Sequence, residues 1–255
     1  MSKQTLFLFF CFFFFVGAFF ISQRKFTGGA RGHGKNTIRT KNDKDYWKIA
    51  SDYSVRGLDL SHHNGKILYD KLDTLDFVFL KATEGGNHID RDFDTHYKGF
   101  KKKKIVLGVY HFFRFNTNGA AQANHFLNRI KGYTFHVPLV VDVEHHKNPK
   151  VKREEVIQRL NDFMQTIKNK TGQKPIIYTN GHGYYDFVNN DFKHHTLWLS
   201  STTNTKRPAE MNCTFWQFHI NANLKAIKHQ ADLNVFRGSR EEWKRYLKKN
   251  KPFTI

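Results

Sequence analysis

From about residue 53 onwards, short apolar runs alternate with longer polar segments of helical character. The runs are rich in β-branched and aromatic residues, which is typical of strands buried on both faces. They lie at 57–60, 77–80, 105–110, 139–142, 176–178, 197–199 and 215–218. Candidate helices lie between the early runs, at 90–102, 118–131 and 152–170, and an amphipathic helix at 239–249 closes the chain. The pattern predicts an α/β fold.

Repeated alternation of strand and helix implies parallel strands with helices packed outside them. Either a doubly wound sheet or a β/α barrel satisfies this pattern. Late in the chain the runs follow one another at shorter intervals, which indicates less regular connections there.

Most of the apolar runs end in polar or aromatic residues. These residues are Asp59 with Ser61, Lys81 with Glu84, Tyr110 with His111, Asp142 with Glu144, Tyr178, and Gln217. Any one of them is more often a packing residue than a chemical one. In a barrel, however, the C-terminal strand ends share one rim and build the active site. Their collective placement therefore indicates a shared site.

The run 138–146 carries the most informative pair. Side chains alternate along a strand, so Asp142 and Glu144 point to one side while Val141 and Val143 point to the other. Each carboxylate raises the cost of ionising its neighbour, which can leave one of them protonated near neutral pH. A general acid requires such a proton. A strand running into a solvated loop is the alternative interpretation of the pair.

Composition narrows the class of protein. The 255 residues are 39% apolar, enough for a sizeable core, and 42 Lys+Arg against 22 Asp+Glu give a formal charge of +20. Such a charge favours a polyanionic partner: nucleic acid, anionic lipid or an acidic wall polymer. Cys11 lies inside an apolar run, so we expect no disulfide with Cys213. The sequence has no strong metal-binding motif, and we expect no metal.

The N-terminal segment is predicted to insert into a membrane. Residues 6–21 form an unbroken apolar run, slightly short for a bilayer span, so 1–22 is predicted to be a transmembrane anchor or a signal segment. The following range, 23–52, is rich in Gly, Lys and Arg and is predicted to be a basic flexible linker. We expect a protein anchored in the membrane and facing outside the cytoplasm, or one that is secreted or periplasmic if the segment is cleaved.

Seven short motifs follow one another between about residues 55 and 250. They are 56–62, 79–85, 108–112, 141–144, 176–179, 215–218 and 231–236. Each is weak alone, but together and in this order they resemble the family 25 glycoside hydrolases, the muramidases called Chalaropsis-type lysozymes. The resemblance implies that residues 53–255 form a TIM-like β/α barrel with an irregular later half. It also implies cleavage of the β-1,4 bond between N-acetylmuramic acid and N-acetylglucosamine in peptidoglycan.

The resemblance assigns roles by position. Glu144 matches the family's proton donor, and Asp142 matches its partner carboxylate on the same strand. Asp59 and Asp232 match the acids near the first and last strands. The residues expected to contact the substrate are Tyr110, Glu84, Tyr178, Gln217 and Trp198. No organic cofactor is implied.

Glycoside cleavage needs an acid to protonate the leaving oxygen and negative charge to stabilise an oxocarbenium-like transition state. Glu144 would supply the proton. Since N-acetylmuramic acid carries a 2-acetamido group that can act as an internal nucleophile, we favour a retaining route in which Asp142 orients that group. The backbone spacing of the two acids, about 6.5–7 Å, leaves an inverting route open.

The sequence departs from the family pattern at two places where aromatic residues are usual. His63 follows Ser61-His62 in the first motif, and Ser200-Ser201 follow Leu199. Each loss removes a stacking surface for sugar rings.

Two other functions compete with the muramidase. One is a catalytically inactive barrel that binds or scaffolds the cell wall, although four convergent acids would serve such a binder little. The other is nucleic-acid binding, suggested by the charge and by the lysines at 101–104, which we interpret as a solvated helix end. We therefore expect as partners the glycan strands of peptidoglycan and, through the N-terminal segment, a membrane. We expect no nucleic acid, and a monomer.

Overall fold

Eight strands close into a barrel in which the first strand pairs with both the second and the last. The structure is a computed structural model that describes residues 42–72, 74–103 and 105–255. The barrel strands are β1 (Arg56–Leu60), β2 (Phe77–Glu84), β4 (Val106–Phe112), β6 (Val140–Asp142), β7 (Ile176–Asn180), β8 (Leu197–Ser200), β9 (Phe215–Ala222) and β10 (Ala231–Phe236). They follow one another around the barrel in this order, and β10 pairs with β1. The predicted TIM-like barrel is confirmed.

The irregular later half results from the direction of β10. Every neighbouring pair from β1 to β9 is parallel, whereas β10 runs antiparallel to both β9 and β1. Only residues 223–230 connect β9 to β10. A parallel crossover needs a dozen or more residues, so this connection forces the chain to return antiparallel.

The helices agree closely with the sequence pattern. They are α1 (Asp43–Tyr46), α2 (Phe93–Lys102), α3 (Gly119–Arg129), α4 (Arg153–Thr171), α5 (Gly181–Gly183), α6 (Arg207–Glu210) and α7 (Arg240–Lys249). Local signals set their ends. The Asn118 side chain accepts from Ala121 N at the start of α3, Ser239 and Glu242 form a capping box on α7, and Gly172 ends α4 at φ 73°.

Shorter elements complete the fold. Three 3-10 turns lie at Trp47–Ala50, His62–Asn64 and Tyr69–Lys71, and a π-helical turn lies at Tyr184–Val188. The short strands are β3 (His88–Ile89), which pairs with β2, and β5 (Thr134–Phe135) and β11 (Phe253–Thr254), which pair with each other.

Aromatic side chains fill the lower half of the barrel interior, at the N-terminal ends of the parallel strands. Phe77 and Phe79 of β2 and Phe215 of β9 are almost fully buried there, and Trp243 of α7 packs beneath them, 5.6 Å from Phe77 between ring centroids. Glycine makes room for these rings: a Cβ atom on Gly108 would lie 2.3 Å from the Phe79 ring. The last helix therefore closes this end of the barrel.

A second apolar layer lies between the strands and the outer helices. Phe100 of α2, Phe126 of α3 and Phe163 of α4 are fully buried in it. This layer holds the strands in place from outside, while the interior carries both the aromatic floor and the site.

The barrel unit begins ahead of the predicted boundary at residue 53. Residues 43–50, placed in the linker by their composition, form α1 and a 3-10 turn, and they bury Tyr46 and Trp47 in the core. These aromatic side chains make the packing favourable despite the basic surroundings. The rest of the predicted linker before residue 42, and the apolar run at 6–21, lie outside the described residues. Over 42–72, 74–103 and 105–255, no helix is long and apolar enough to cross a membrane.

Candidate active site

A cleft of about 220 Å³ opens at the C-terminal ends of the parallel strands. All nine residues predicted for the site line it: Asp59, Glu84, Tyr110, Asp142, Glu144, Tyr178, Trp198, Gln217 and Asp232. The structure therefore brings together residues that are up to 173 positions apart in the chain. Their roles in binding and catalysis stay predictions.

Strand register explains how the acids meet. Asp59 of β1 and Asp232 of β10 are direct cross-strand partners, because these two strands are antiparallel. Asp142 is the last residue of β6, and Glu144 follows two positions later. The four carboxylates thus come from three strand ends around one cleft.

Two side-chain amides hold Asp59. Its Oδ2 accepts hydrogen bonds from Asn234 Nδ2 at 2.7 Å and from Gln217 Nε2 at 2.9 Å. Each amide is oriented in turn by an aromatic donor, since Tyr178 OH donates to Gln217 Oε1 at 3.0 Å and Trp198 Nε1 donates to Asn234 Oδ1 at 2.8 Å. The network fixes Asp59 as an acceptor at the bottom of the cleft.

Burial is the main cause that raises the pKa values of Asp59 and Asp232. It raises the pKa of Asp59 well above its ordinary value, and the neighbouring Asp232 raises it further, while the two amide donors act in the opposite direction. Burial also raises the pKa of Asp232, against the hydrogen bond from Asn221 N at 2.8 Å. A proton therefore binds this pair more readily than it binds free aspartate.

Asp142 is the most enclosed of the candidate catalytic acids. Asp142 is only 6% exposed, and its Oδ1 has no hydrogen-bond partner. Burial and then the adjacent Glu144 raise the pKa of Asp142 well above its ordinary value, whereas Lys81 lowers it. An unsatisfied buried oxygen beside a cleft is available to a donor on a bound ligand.

Glu144 follows Asp142 by two residues, just after the end of β6, and is half-buried. Burial is the main cause that raises the pKa of Glu144, and Asp232 adds to it. Asn180 opposes the shift, because its Nδ2 donates to Glu144 Oε2 at 3.4 Å. The carboxyl group is thus placed to keep its proton to higher pH than an exposed glutamate does.

Lys81 is a buried cation of the cleft wall. Its Nζ lies 2.6 Å from Glu84 Oε2, and Arg114 Nε lies 3.2 Å from Glu84 Oε1. Glu84 is therefore held between two cations, which together with that hydrogen bond lower its pKa despite burial. It stays ionised while the other acids are driven towards protonation.

Sequence reasoning missed two asparagines that orient the acids. Asn234 holds Asp59, and Asn180 contacts Glu144. Each stands two residues from a predicted site residue on the same strand, Asn234 after Asp232 and Asn180 after Tyr178. The two-residue period of a strand would have pointed to both.

Trp198 is the most enclosed of the aromatic residues predicted to contact substrate, and that role stays a prediction. It lines the cleft but is only 1% exposed, and it stacks on Phe79 with ring centroids 4.4 Å apart. It forms part of the floor and donates to Asn234. Ser201, at the second place where an aromatic residue was expected, is buried, and its carbonyl accepts from Trp216 Nε1 at 2.9 Å.

The described residues were searched for side chains that could hold a metal ion. Within 42–72, 74–103 and 105–255, no three His, Cys, Asp or Glu side chains are arranged to hold a metal ion. His63, the departure in the first motif, lies on the cleft wall with its ring 3.9 Å from that of His62.

The closed barrel gathers carboxylates with raised pKa values at its C-terminal mouth, which is the kind of arrangement that glycoside hydrolysis by two carboxyl groups requires. The family model for glycosyl hydrolases family 25 matches residues 58–227, and the chain belongs to that family. The match spans most of the barrel, so the resemblance found in the sequence is confirmed.

Similar proteins include characterised and uncharacterised relatives. Lysozyme M1 of Streptomyces globisporus is 27% identical over 74% of this chain and 70% of its own length. The uncharacterized protein YegX of Escherichia coli K12 is 27% identical over 78% of this chain and 76% of its own length. Among solved structures, a family 25 glycosyl hydrolase from Bacillus anthracis has a TM-score of 0.68 at 29% identity, covering 76% of this chain and 94% of that one.

Proposed function

We propose that this protein is an N-acetylmuramidase that hydrolyses the β-1,4 bond between N-acetylmuramic acid and N-acetylglucosamine in peptidoglycan. The observation that carries the proposal is the pairing of Glu144 with Asp142 at one cleft, where burial raises the pKa of both carboxyl groups. Membership of a family with lysozymes among its members supports the choice of substrate.

Glu144 acts as the general acid in this proposal. Burial raises its pKa, so the carboxyl group keeps its proton to a higher pH than an exposed glutamate does, and its position at the cleft wall lets it reach a glycosidic oxygen. As the bond breaks, the proton moves to the leaving sugar and Glu144 becomes a carboxylate. It then accepts a proton from the water that completes hydrolysis.

Asp142 assists through the substrate's own acetamido group. Its free Oδ1 can accept the acetamido N–H and orient the carbonyl oxygen towards the anomeric carbon. In the reactive state Glu144 carries the proton of this coupled pair and Asp142 is ionised. Attack by the acetamido oxygen then forms an oxazolinium ring, whose positive charge the Asp142 carboxylate stabilises. Water opens the ring with overall retention of configuration.

The proposed substrate also suggests where the protein works. Peptidoglycan lies outside the cytoplasm, and the apolar run at 6–21 would export the barrel or anchor it there. We propose a monomer that acts on glycan strands from that position.

Mass spectrometry of digested peptidoglycan tests the activity. We expect fragments with N-acetylmuramic acid at the reducing end, because the muramidase bond follows that sugar. Fragments ending in N-acetylglucosamine would identify a glucosaminidase, and released peptides without glycan cleavage would identify an amidase. An undigested polymer would favour a wall-binding barrel and overturn the proposal.

A further inference from the structure

A second cleft opens beside the candidate active site, formed by the loops that follow β1, β2, β4 and β6. It encloses about 440 Å³. It shares His63, Glu84 and Lys147 with the active-site cleft, and its other lining residues include His62, His88 and Arg114. Because the two clefts have a common wall, a substituent on a sugar bound in the first can reach into the second.

The two clefts differ in charge. The active-site cleft contains Asp59, Asp142, Glu144 and Asp232, whereas Glu84 is the acidic residue among those lining the second cleft. Both oxygens of Glu84 are already paired with Lys81 and Arg114. The second cleft is therefore electropositive next to an acidic one.

Backbone groups fix the positions of the two cations of the second cleft, Arg114 and Lys147. The Lys147 carbonyl accepts from Arg114 Nη1, and Lys147 itself adopts φ 57°, an uncommon conformation for a residue with a side chain. Asn148 secures the loop, since its Nδ2 donates to Glu144 O and to Phe113 O, both at 2.9 Å. This loop links the position of Lys147 directly to that of Glu144.

Lys147 is exposed on the wall that the two clefts share, and its charge acts on Glu144, whose pKa it lowers. Among the residues that the structure describes, no carboxylate lies within ion-pair distance of its ammonium group. The positive field is also felt by His63, whose pKa is lowered first by burial and then by His62, Lys147 and Lys81. A bound anion would relieve this repulsion.

We propose that the second cleft binds the carboxylates of the peptide stem on N-acetylmuramic acid, so that the enzyme prefers glycan bearing stems to bare glycan. This inference rests on the proposed muramidase function. The lactyl group of muramic acid carries the stem, and the stem has free carboxylates that Arg114 and Lys147 pair with. The acidic cleft takes the uncharged sugar backbone, and the basic cleft takes its anionic branch.

Turnover of two matched substrates tests the inference. Glycan strands with stems are compared with the same strands from which an amidase has removed the stems, a cut that leaves one lactyl carboxylate, close to the sugar ring, on each N-acetylmuramic acid. We expect kcat/KM to be several-fold higher with stems. Arg114→Gln and Lys147→Gln should each reduce this preference about 3-fold, the effect of a partly exposed ion pair. Arg114→Lys should retain more of it, and added salt should weaken it.

Lys150→Gln provides the matched control. Lys150 is exposed on the same loop region but lines neither cleft, so its replacement should leave the preference unchanged. Binding of a disaccharide with and without its stem to Glu144→Gln, measured by calorimetry, gives the same comparison without turnover. Because Glu144→Gln keeps Arg114 and Lys147, this measurement still tests the inference if replacement of either cation prevents folding.

The possible results distinguish a failure of stem binding from a failure of the proposed muramidase function. Equal kcat/KM on both substrates would overturn stem binding and leave the muramidase standing. A preference that survives both charge-removing substitutions would also overturn it. Failure to cleave either substrate would overturn the proposed function, and the inference with it.

Discussion

The lower and upper halves of the barrel interior are formed by the same strands but differ in polarity. On β2, Phe79 belongs to the aromatic floor, while Lys81, two residues further on, lies in the wall of the cleft. On β9 the same step leads from Phe215 to Gln217, and on β6 from Val140 to Asp142. Two residues along each strand therefore separate the apolar floor from the polar wall of the cleft.

The two halves also make opposite contributions to stability. The floor buries large aromatic surfaces, which favours folding. The cleft buries carboxylates whose raised pKa values show that ionising them costs more in the folded protein than in water. Substitutions in the floor should therefore reduce stability, and substitutions in the cleft should reduce activity.

The largest expected effect is on the chemistry of the upper half. Glu144→Gln removes the proposed proton donor while keeping its size, so kcat should fall by up to about 10⁴-fold. Release of reducing sugar from purified peptidoglycan measures the loss. Glu154→Gln, at an exposed position of α4, is the control and should keep full activity. Comparable turnover in a folded Glu144→Gln protein would remove Glu144 from the acid role.

In the lower half, Trp243→Ala should have the next largest effect, on stability. Trp243 is 5% exposed and packs against Phe77 and Phe236, so its loss leaves a cavity beneath the barrel. We expect the free energy of unfolding to fall by about 4 kcal/mol, measured by denaturant titration. Well below the melting temperature, kcat should change little. A large fall in kcat in the folded variant would show that the two halves are not independent.

The separation of the halves was only partly predictable from sequence. Strand and helix positions followed from hydrophobic periodicity, because the buried strands are apolar runs and the helices carry ordinary capping signals. The alternation along β6 placed Asp142 and Glu144 on one side of the chain. Residues at other strand ends followed from the rule that parallel strands end at one rim.

Long-range contacts account for what the sequence did not predict. Asn234 acquires its importance from a bond to Asp59, 175 residues away. The two-residue period of the strand places it on the side of Asp232 but does not give this partner. The strand β10 was recognised by its motif, but its antiparallel direction depends on closure against β1. Trp198 was expected to meet substrate, yet the sequence does not reveal that Phe79 and Asn234 hold it in the floor.

Asp142→Asn should separate catalysis from binding within the upper half. The amide keeps the shape of the side chain but cannot stabilise positive charge on the acetamido group. We expect kcat to fall about 10²-fold while KM changes little, because the lost interaction matters most in the transition state. Steady-state kinetics on soluble glycan fragments measures both quantities. Wild-type turnover would exclude Asp142 from the mechanism.

The smallest effect concerns how stability depends on pH. The pKa of Asp142 is raised by folding, so the folded protein holds a proton that the unfolded chain releases as pH rises above about 4. The free energy of unfolding therefore loses a contribution between that pH and the raised pKa, by up to about 1.4 kcal/mol per pH unit.

Asp142→Asn removes this proton, so stability should decline less steeply with pH in the variant than in the wild type. Buried histidines act in the opposite direction, since burial lowers the pKa of His111 to about 3 and the unfolded chain takes up its proton at higher pH. The difference between the two proteins is therefore the quantity to measure, by urea titration from pH 4 to pH 7. If the free energy of unfolding depends on pH in the same way in both proteins, Asp142 is ionised as easily in the cleft as in the unfolded chain. The proposed cost of burying this carboxylate in the cleft would then be wrong.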